Sequence, residues 1–200
     1  MKILKRIKTA LKISLAMFLI CGLLYPLLMT GLAKLIFPSK ASGSLLEKDG
    51  KVVGSEMVGQ DFTNSKLFHP RPSAVFCNTK NDKEKIEPAS GSENLAVSNP
   101  RLKARVKKDI DKLLKENPGL RKDEIPDDLL TSSGSGLDPH ISVKACQIQV
   151  NRIAKNTGIS KKELNKLIDK HTERKLFGIF GQEKVNVLKL NLDLVAKEEK

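Results

Sequence analysis

The sequence predicts an α+β protein: one N-terminal transmembrane helix, then a single extracytoplasmic domain with a small, mostly antiparallel sheet and about three helices. Three observations carry this. Residues 13–37 form a long apolar run whose only charge is Lys34, directly behind Lys2, Lys5, Arg6, Lys8 and Lys12. Asp49-Gly50 lies between two short extended runs. Three later segments set apolar residues three and four apart behind helix-capping residues, as amphipathic helices do.

A helix over residues 13–37 is about 37 Å long at about 1.5 Å per residue, enough to cross a hydrocarbon core of about 30 Å with some tilt. Residues 1–12 carry five bases and no acid. The positive-inside bias places this flank in the cytoplasm and residues 38–200 outside it. A cleavable signal peptide also begins basic and then apolar, and Gly31-Leu32-Ala33 offers a small-x-small site. Its apolar stretch is only about 7–15 residues, however, and this one continues to Phe37, so we read an anchor. Ile20 ahead of Cys21 argues against a lipid-modified cysteine and leaves Cys21 as an apolar residue of the helix. Gly22, Pro26 and Thr30 are spaced four apart on one face. Small residues there let another helix approach, and a neighbour can satisfy the carbonyl that proline frees.

Residues 39–44 are Ser/Gly-rich and read as a hinge leaving the membrane. Asp49-Gly50 predicts a two-residue hairpin turn of the I′ kind. In Phe68-His69-Pro70-Arg71-Pro72-Ser73 two prolines one residue apart force extended backbone. Residues 78–87 are almost wholly polar and read as a surface insertion. Asn99-Pro100 starts a helix with Leu102, Val106, Ile110 and Leu113 on one face, stopped at Asn117-Pro118-Gly119. Asp138-Pro139 is expected to cap a second helix, with Val143, Cys146, Val150, Ile153 and Thr157 as its stripe and Gly158 at its end. Ser160 with Glu163 forms a capping box for a third, whose inner face is Leu164, Leu167 and Ile168. Leu188, Leu190, Leu192 and Leu194 alternate with polar residues, which predicts a half-buried strand. No internal repeat is visible.

Lys and Arg number 36 and Asp and Glu 23, a formal charge of +13; the five N-terminal bases account for five, leaving +8 on the rest. No Phe, Tyr or Trp lies between Phe76 and Phe177, so the stacking platforms of a single-strand binder are missing and no nucleic-acid partner is expected. The surplus reads as a solvated lysine-rich surface, with anionic lipid headgroups or an acidic partner as the second reading. Cys77 and Cys146 could pair, but two cysteines are no disulfide framework, and Cys146 on an apolar stripe reads as a buried free thiol. His69, His140 and His171 are far apart, and no Cys or His pair has zinc spacing, so no metal site is expected.

The densest polar constellation is residues 131–142, Thr-Ser-Ser-Gly-Ser-Gly-Leu-Asp-Pro-His-Ile-Ser. Ser135, Asp138 and His140 have the residue types of a nucleophile, an orienter and a base. Residues this close in sequence seldom converge on one proton-transfer line, Asp138 has the helix-cap reading, and no Gly-x-Ser-x-Gly elbow exists. As a phosphate cradle the Gly-Ser-Gly before the expected helix N-terminus offers backbone N–H groups and a favourable dipole, but there is no Walker loop and nucleotides are scarce outside the cell. A rigid glycine-shaped loop that docks on a partner or closes the core is the reading that remains.

At this loop the chain resembles a known family, the C subunit of the bacterial high-affinity potassium-transporting Kdp ATPase, and the resemblance runs in order along nearly the whole chain. It begins at Tyr25-Pro26-Leu27-Leu28-Met29-Thr30-Gly31 and continues through Gly50-Lys51-Val52-Val53-Gly54-Ser55-Glu56 and Gly59-Gln60-Asp61-Phe62. Phe68-His69-Pro70-Arg71-Pro72-Ser73-Ala74, Ser98-Asn99-Pro100 and Ser133-Gly134-Ser135-Gly136-Leu137-Asp138-Pro139-His140-Ile141-Ser142 follow. Val185-Asn186-Val187-Leu188-x-Leu190-Asn191-Leu192 closes it. The chain departs from the family at Asn94-Leu95-Ala96-Val97, usually Asn-Leu-Gly-Pro, and in the length of residues 78–87.

The resemblance implies an accessory subunit of a P-type ATP-driven potassium uptake complex, needed for its assembly and activity. The implied partners are a channel-like A subunit, a P-type catalytic B subunit and a small F subunit, besides membrane lipid. ATP and potassium belong to the complex, with no cofactor expected on this chain. The family description as a catalytic chaperone that raises the ATP affinity of the B subunit conflicts with an external domain, unless the coupling runs through the anchor helix. We favour assembly and a cap near the potassium entrance. The expected interface residues are Gly22, Tyr25, Pro26, Thr30 and Gly31 in the anchor and Ser133, Gly134, Ser135, Gly136, Asp138, Pro139 and His140 in the loop. The alternative is a stand-alone membrane-anchored hydrolase or binding module.

Overall fold

The computed structural model describes residues 2–78 and 88–198. The expected insertion at 78–87 lies outside the described residues except for Asn78. The chain divides into two compact units, Met1–Leu45 and Leu46–Lys200.

The first unit is mainly one helix, α1 (Lys2–Ile36), whose 35 residues reach about 52 Å at about 1.5 Å per residue. It is long and apolar enough to cross a membrane. The basic flank is therefore helical and continuous with the apolar stretch. The helix changes pitch in its middle: Lys2–Met17 and Tyr25–Ile36 are α-helical, and Phe18–Leu24 is a π-helix. Pro26 explains the change. It has no N–H to give to Gly22, and in an α-helix its ring would strike that carbonyl. The wider turn accommodates the ring, and the Tyr25 N–H reaches back to the Ile20 carbonyl. The expected hinge is one helical turn, Pro38–Ala41, followed by Gly43 and Ser44 at positive φ.

At the boundary between the units comes the expected hairpin, β1 (Leu45–Lys48) and β2 (Lys51–Ser55), joined by Asp49 and Gly50 at φ +53° and +72° as a type I′ turn requires. Helix α2 (Pro100–Glu116) is capped by Asn99, whose side chain accepts from the Arg101 N–H, and it ends at Asn117. β3 (His140–Ile141) leads to two short helices, α3 (Val143–Gln147) and α4 (Val150–Thr157). Helix α5 (Lys161–His171) follows, then β4 (Thr172–Glu173), β5 (Lys184–Asn186) and α6 (Val187–Glu198). The three short strands form an antiparallel sheet in the order β3-β5-β4, pairing Ile141 with Val185 and Val185 with Thr172. Helix α5 packs on both α4 and α6. Ile141, Cys146, Ile153, Leu164, Ile168, Val185, Leu190 and Leu194 form the buried core.

Two expectations are corrected here. Asp138 does not cap a helix: Ser142 does, accepting from the Ala145 N–H, because residues 140–141 are taken up as an edge strand beside β5. The predicted strand at Leu188–Leu194 is helix α6. Its buried residues are Val187, Leu188, Leu190, Asn191 and Leu194, and positions 187, 190, 191 and 194 make a helical stripe. The period of two is only apparent, because Asn191 is buried together with the leucines. Gly158 ends α4 in the left-handed conformation, and Ser160 and Glu163 exchange hydrogen bonds at the start of α5.

Asn191 is buried because it replaces a strand. The main chain at Phe68 runs through the core with no ladder partner, and its buried N–H and C=O must be paired. The Phe68 N–H donates to Asn191 Oδ1 (2.9 Å), and Asn191 Nδ2 donates to the Phe68 carbonyl (3.0 Å). Gln149 does the same next door, accepting from the His69 N–H (2.8 Å) and donating to its carbonyl (3.2 Å). Arg152 then donates to the Ser65 and Leu67 carbonyls. Phe68 is thereby held fully buried.

Replacing Asn191 with Leu leaves two buried backbone groups unpaired, which destabilises the protein by about 2–4 kcal/mol. Lys107→Ala on the exposed side of α2 changes stability by about 0.5 kcal/mol or less. The chain has no Trp, so urea titrations followed by far-UV circular dichroism on the full chain in detergent measure both.

Candidate functional site

The carboxamide clamp on Phe68-His69 fixes where Pro70-Arg71-Pro72 emerges, and Arg71 then seizes residues 131–138 at both ends. Its Nη1 donates to Asp138 Oδ2 at 2.9 Å, while Nε and Nη2 lie 3.4 and 3.3 Å from the Thr131 carbonyl. Asp138 Oδ1 accepts from the His140 N–H at 3.0 Å, and His140 Nδ1 lies 3.4 Å away. Hydrogen bonding from the His140 side chain and, after it, from the His140 N–H and the Arg71 guanidinium hold the Asp138 carboxyl down at about 2.

Inside this bracket the loop is stitched to four other segments. Ser73 Oγ donates to the Gly136 carbonyl (2.7 Å), while the Ser133 N–H reaches the Pro72 carbonyl (3.4 Å). The Gly91 N–H and Ser90 Oγ share the Ser135 carbonyl. The Gly59 N–H donates to the Leu137 carbonyl (2.8 Å), and the Val187 N–H to the Pro139 carbonyl (2.9 Å). Two glycines make this possible. At Gly136, φ is +68° and a Cβ would stand 2.7 Å from both the Gly91 carbonyl oxygen and Val75 Cγ2; at Gly59 it would stand 2.7 Å from the Asp138 carbonyl oxygen.

The chemistry that this allows is narrow. His140 meets carboxylates on both ring nitrogens, Asp138 at Nδ1 and Glu173 Oε1 at 3.6 Å from Nε2. Ser135 Oγ accepts from the Leu137 N–H at 3.1 Å. A serine relay instead needs the nucleophile hydrogen-bonded to the base. The Gly-Ser-Gly does not open a helix either, since β3 intervenes before Ser142, and the carbonyls of residues 135, 136, 137 and 139 already accept from neighbouring segments. Beside the loop lies an open cleft of about 850 Å³, with Arg71, Asp128, Asp138, His140, Glu173 and Lys184 among its lining residues. Asp128 is occupied by the Ser142 N–H and hydroxyl. Among the described residues no group of three His, Cys, Asp or Glu is placed to hold a metal ion.

Each expected interface residue has a place in one of the two units. Ser133 is buried, Gly136, Pro139 and His140 are wholly or partly covered, and Gly134 and Ser135 are exposed on the loop's outer side. Gly22, Tyr25, Pro26, Thr30 and Gly31 lie in α1, exposed, at and just after the widened turn. Cys77 and Cys146 are buried and free, and burial pushes both thiols up. Sequence reasoning missed Gln149 and Asn191 as clamps and the exposed apolar residues Leu176, Phe177, Ile179 and Phe180. Asn191 could have been found by its helical spacing from Val187 and Leu194. The apolar cluster was visible as large side chains outside any periodic pattern.

The family model described as KdpC, K+-transporting ATPase, c chain, matches residues 7–196. Three similar proteins carry the name potassium-transporting ATPase KdpC subunit. The one from Clostridium kluyveri is 49% identical over 97% of this chain and 94% of its own length. The one from Clostridioides difficile is 46% identical over 96% and 97%, and one from Bacillus cereus 46% identical over 92% of each.

Asp138 gives the loop a pH signature. A carboxyl lowered in the folded state stabilises fully above its unfolded value of about 3.8 and loses that contribution as pH falls toward about 2. Wild type is therefore more stable than Asp138→Asn at neutral pH, and the two converge as pH drops through this window. Thermal melts across pH measure the gap; a gap that stays constant to the lower limit contradicts the assignment.

Proposed function

The chain belongs to the KdpC family, the c chains of K+-transporting ATPases, and from that premise we propose that it acts as a membrane-anchored accessory subunit. Its partners in this reading are the channel-like A subunit, the P-type catalytic B subunit and the small F subunit. ATP and potassium are handled by the complex, not by this chain. One observation carries the proposal. The polar loop at 131–140, the chain's best candidate for chemistry, spends its carbonyls and its charged side chains on internal bonds and becomes a rigid surface. Such a surface suits docking, where a preorganised shape avoids an ordering cost.

In this proposal residues 13–37 span the membrane, residues 1–12 stay in the cytoplasm and residues 38–200 stand outside as one domain. The charge asymmetry of the helix ends supports that orientation. The exposed outer side of the loop, Gly134 and Ser135, with the Asp138–His140 pair beside it, meets the A subunit near the potassium entrance. Gly22, Tyr25, Pro26, Thr30 and Gly31 form the face of α1 that packs on neighbouring helices. The widened turn at Phe18–Leu24 supports this assignment, because carbonyls released from the regular ladder need partners in a bilayer. Assembly is the primary role. Any rise in the ATP affinity of the B subunit then travels through this helix, since the domain and the nucleotide lie on opposite sides.

The test is photo-cross-linking in membranes that contain the assembled complex, with the reactive group at Ser135 in one chain and at Thr30 in another. The loop probe is expected to capture the A subunit and the helix probe a membrane-embedded subunit. A full-length chain that stays monomeric in mild detergent and forms no cross-link to any subunit contradicts the proposal. Orientation has its own readout at Val97, which is 85% exposed. Val97→Cys is expected to react with an impermeant maleimide on intact cells, and reaction only after lysis would reverse the topology.

A further inference from the structure

Residues 174–183 carry an apolar surface that the domain leaves uncovered. They form the outer part of the hairpin between β4 and β5, whose stem is the Glu173–Lys184 pair. Val185, one residue into the stem, is fully buried. Beyond the stem, Leu176 and Phe180 exchange both main-chain hydrogen bonds, at 2.9 and 3.0 Å. The chain reverses through Phe177 and Gly178, at φ +53° and +72°. This built turn presents four large apolar side chains at its end. Leu176 is 64% exposed, Phe177 83%, Ile179 76% and Phe180 65%. A phenylalanine in the left-handed region is uncommon, and here it holds the most exposed of the four side chains outward.

A contiguous exposed apolar patch of this kind marks a surface that another phase or molecule covers. The charge around it indicates which. Arg174 and Lys175 precede the tip directly, both exposed, and no acid occurs between them and Glu183. At the stem Lys184 neutralises Glu173, with Nζ 3.3 Å from Oε2. An apolar tip behind a basic collar matches the layered chemistry of an anionic bilayer surface. The rings and aliphatic chains enter the acyl boundary, and the guanidinium and ammonium groups remain among the phosphates. The sequence adds confinement, because the domain begins within ten residues of the end of α1. Tethering of this kind raises the local concentration of the bilayer for a contact too weak to hold alone.

We propose that the hairpin tip Leu176-Phe177-Gly178-Ile179-Phe180 inserts into the anionic headgroup layer of the membrane that α1 crosses, as a second attachment for the domain. The proposal rests on the reading of residues 13–37 as a membrane span. It commits to lipid as the occupant, with insertion shallow, reversible and dependent on negative headgroups.

The full chain is reconstituted into vesicles of phosphatidylcholine with or without phosphatidylglycerol. An environment-sensitive fluorophore is attached to Phe177→Cys or, leaving both phenylalanines in place, to Ile179→Cys, each in a Cys21→Ser background. Cys77 and Cys146, at 3% and 0% exposure, stay unlabelled. At either tip position the emission is expected to shift to the blue and to be quenched by nitroxide-bearing lipid. Both effects weaken without phosphatidylglycerol and after Arg174→Glu with Lys175→Glu, and a probe at Val97→Cys shows neither. The native Cys21, labelled alone, reports on the span and is quenched in either lipid. Water-like, unquenched emission at the tip with a quenched Cys21 probe overturns insertion and leaves the span intact. Tip emission that shifts only when the other subunits are present, still unquenched by lipid, overturns it in favour of a protein cover. An unquenched Cys21 probe removes the span and the insertion with it.

Discussion

The domain at 46–200 depends on a strand that has no sheet. The main chain at Phe68 and His69 crosses the core, and two buried carboxamides, Asn191 and Gln149, supply the donor and acceptor that a neighbouring strand would normally provide. A primary amide is the side-chain group that offers both in one plane, as a peptide does. Burying it is costly unless every partner is present, and here each amide answers both polar groups of one residue. Because Gln149 belongs to the α3–α4 segment and Asn191 to α6, the clamp also ties these helices together through one stretch of backbone. Arg152 extends the grip to residues 65 and 67.

The consequence for the loop at 131–140 is geometric. Once Phe68 and His69 are fixed, Pro70 and Pro72 have little conformational freedom, and Arg71 is delivered to Asp138 and Thr131 without a search. Glycines 59 and 136 then let main chain approach main chain closely enough to hydrogen-bond. The loop is a rigid consequence of the core, and Ser135, Asp138 and His140 already have partners within the domain before any ligand arrives. That arrangement favours recognition by shape over catalysis.

Local features of this fold were legible in the sequence. Asn99 and Ser160 announce helix starts, Gly158 an end, and Asp49-Gly50 a turn, because each satisfies a main-chain need within a few residues. What escaped was long-range. The Asn191–Phe68 and Gln149–His69 bonds join residues 123 and 80 positions apart, and no local pattern records them. The same contact misled the reading of α6, since a buried asparagine among leucines imitates the polar half of a strand. Asp138 escaped for a related reason: its partner Arg71 lies 67 positions away. In the anchor, Pro26 marked an irregularity, and the structure gives it a form, the π-helical turn at Phe18–Leu24.

The central claim is that clamp and loop form one cooperative unit, and amide hydrogen exchange tests it most directly. The informative N–H groups are those of Phe68 and His69 in the clamp, and of Gly59, Gly91 and Ser133, which bond across the loop. If the account holds, all five exchange with the same opening free energy, close to that of the core strand at Val185. Fast exchange at Gly59, Gly91 and Ser133 while Phe68 and His69 stay protected would show a loop that moves independently of the clamp, and would contradict it.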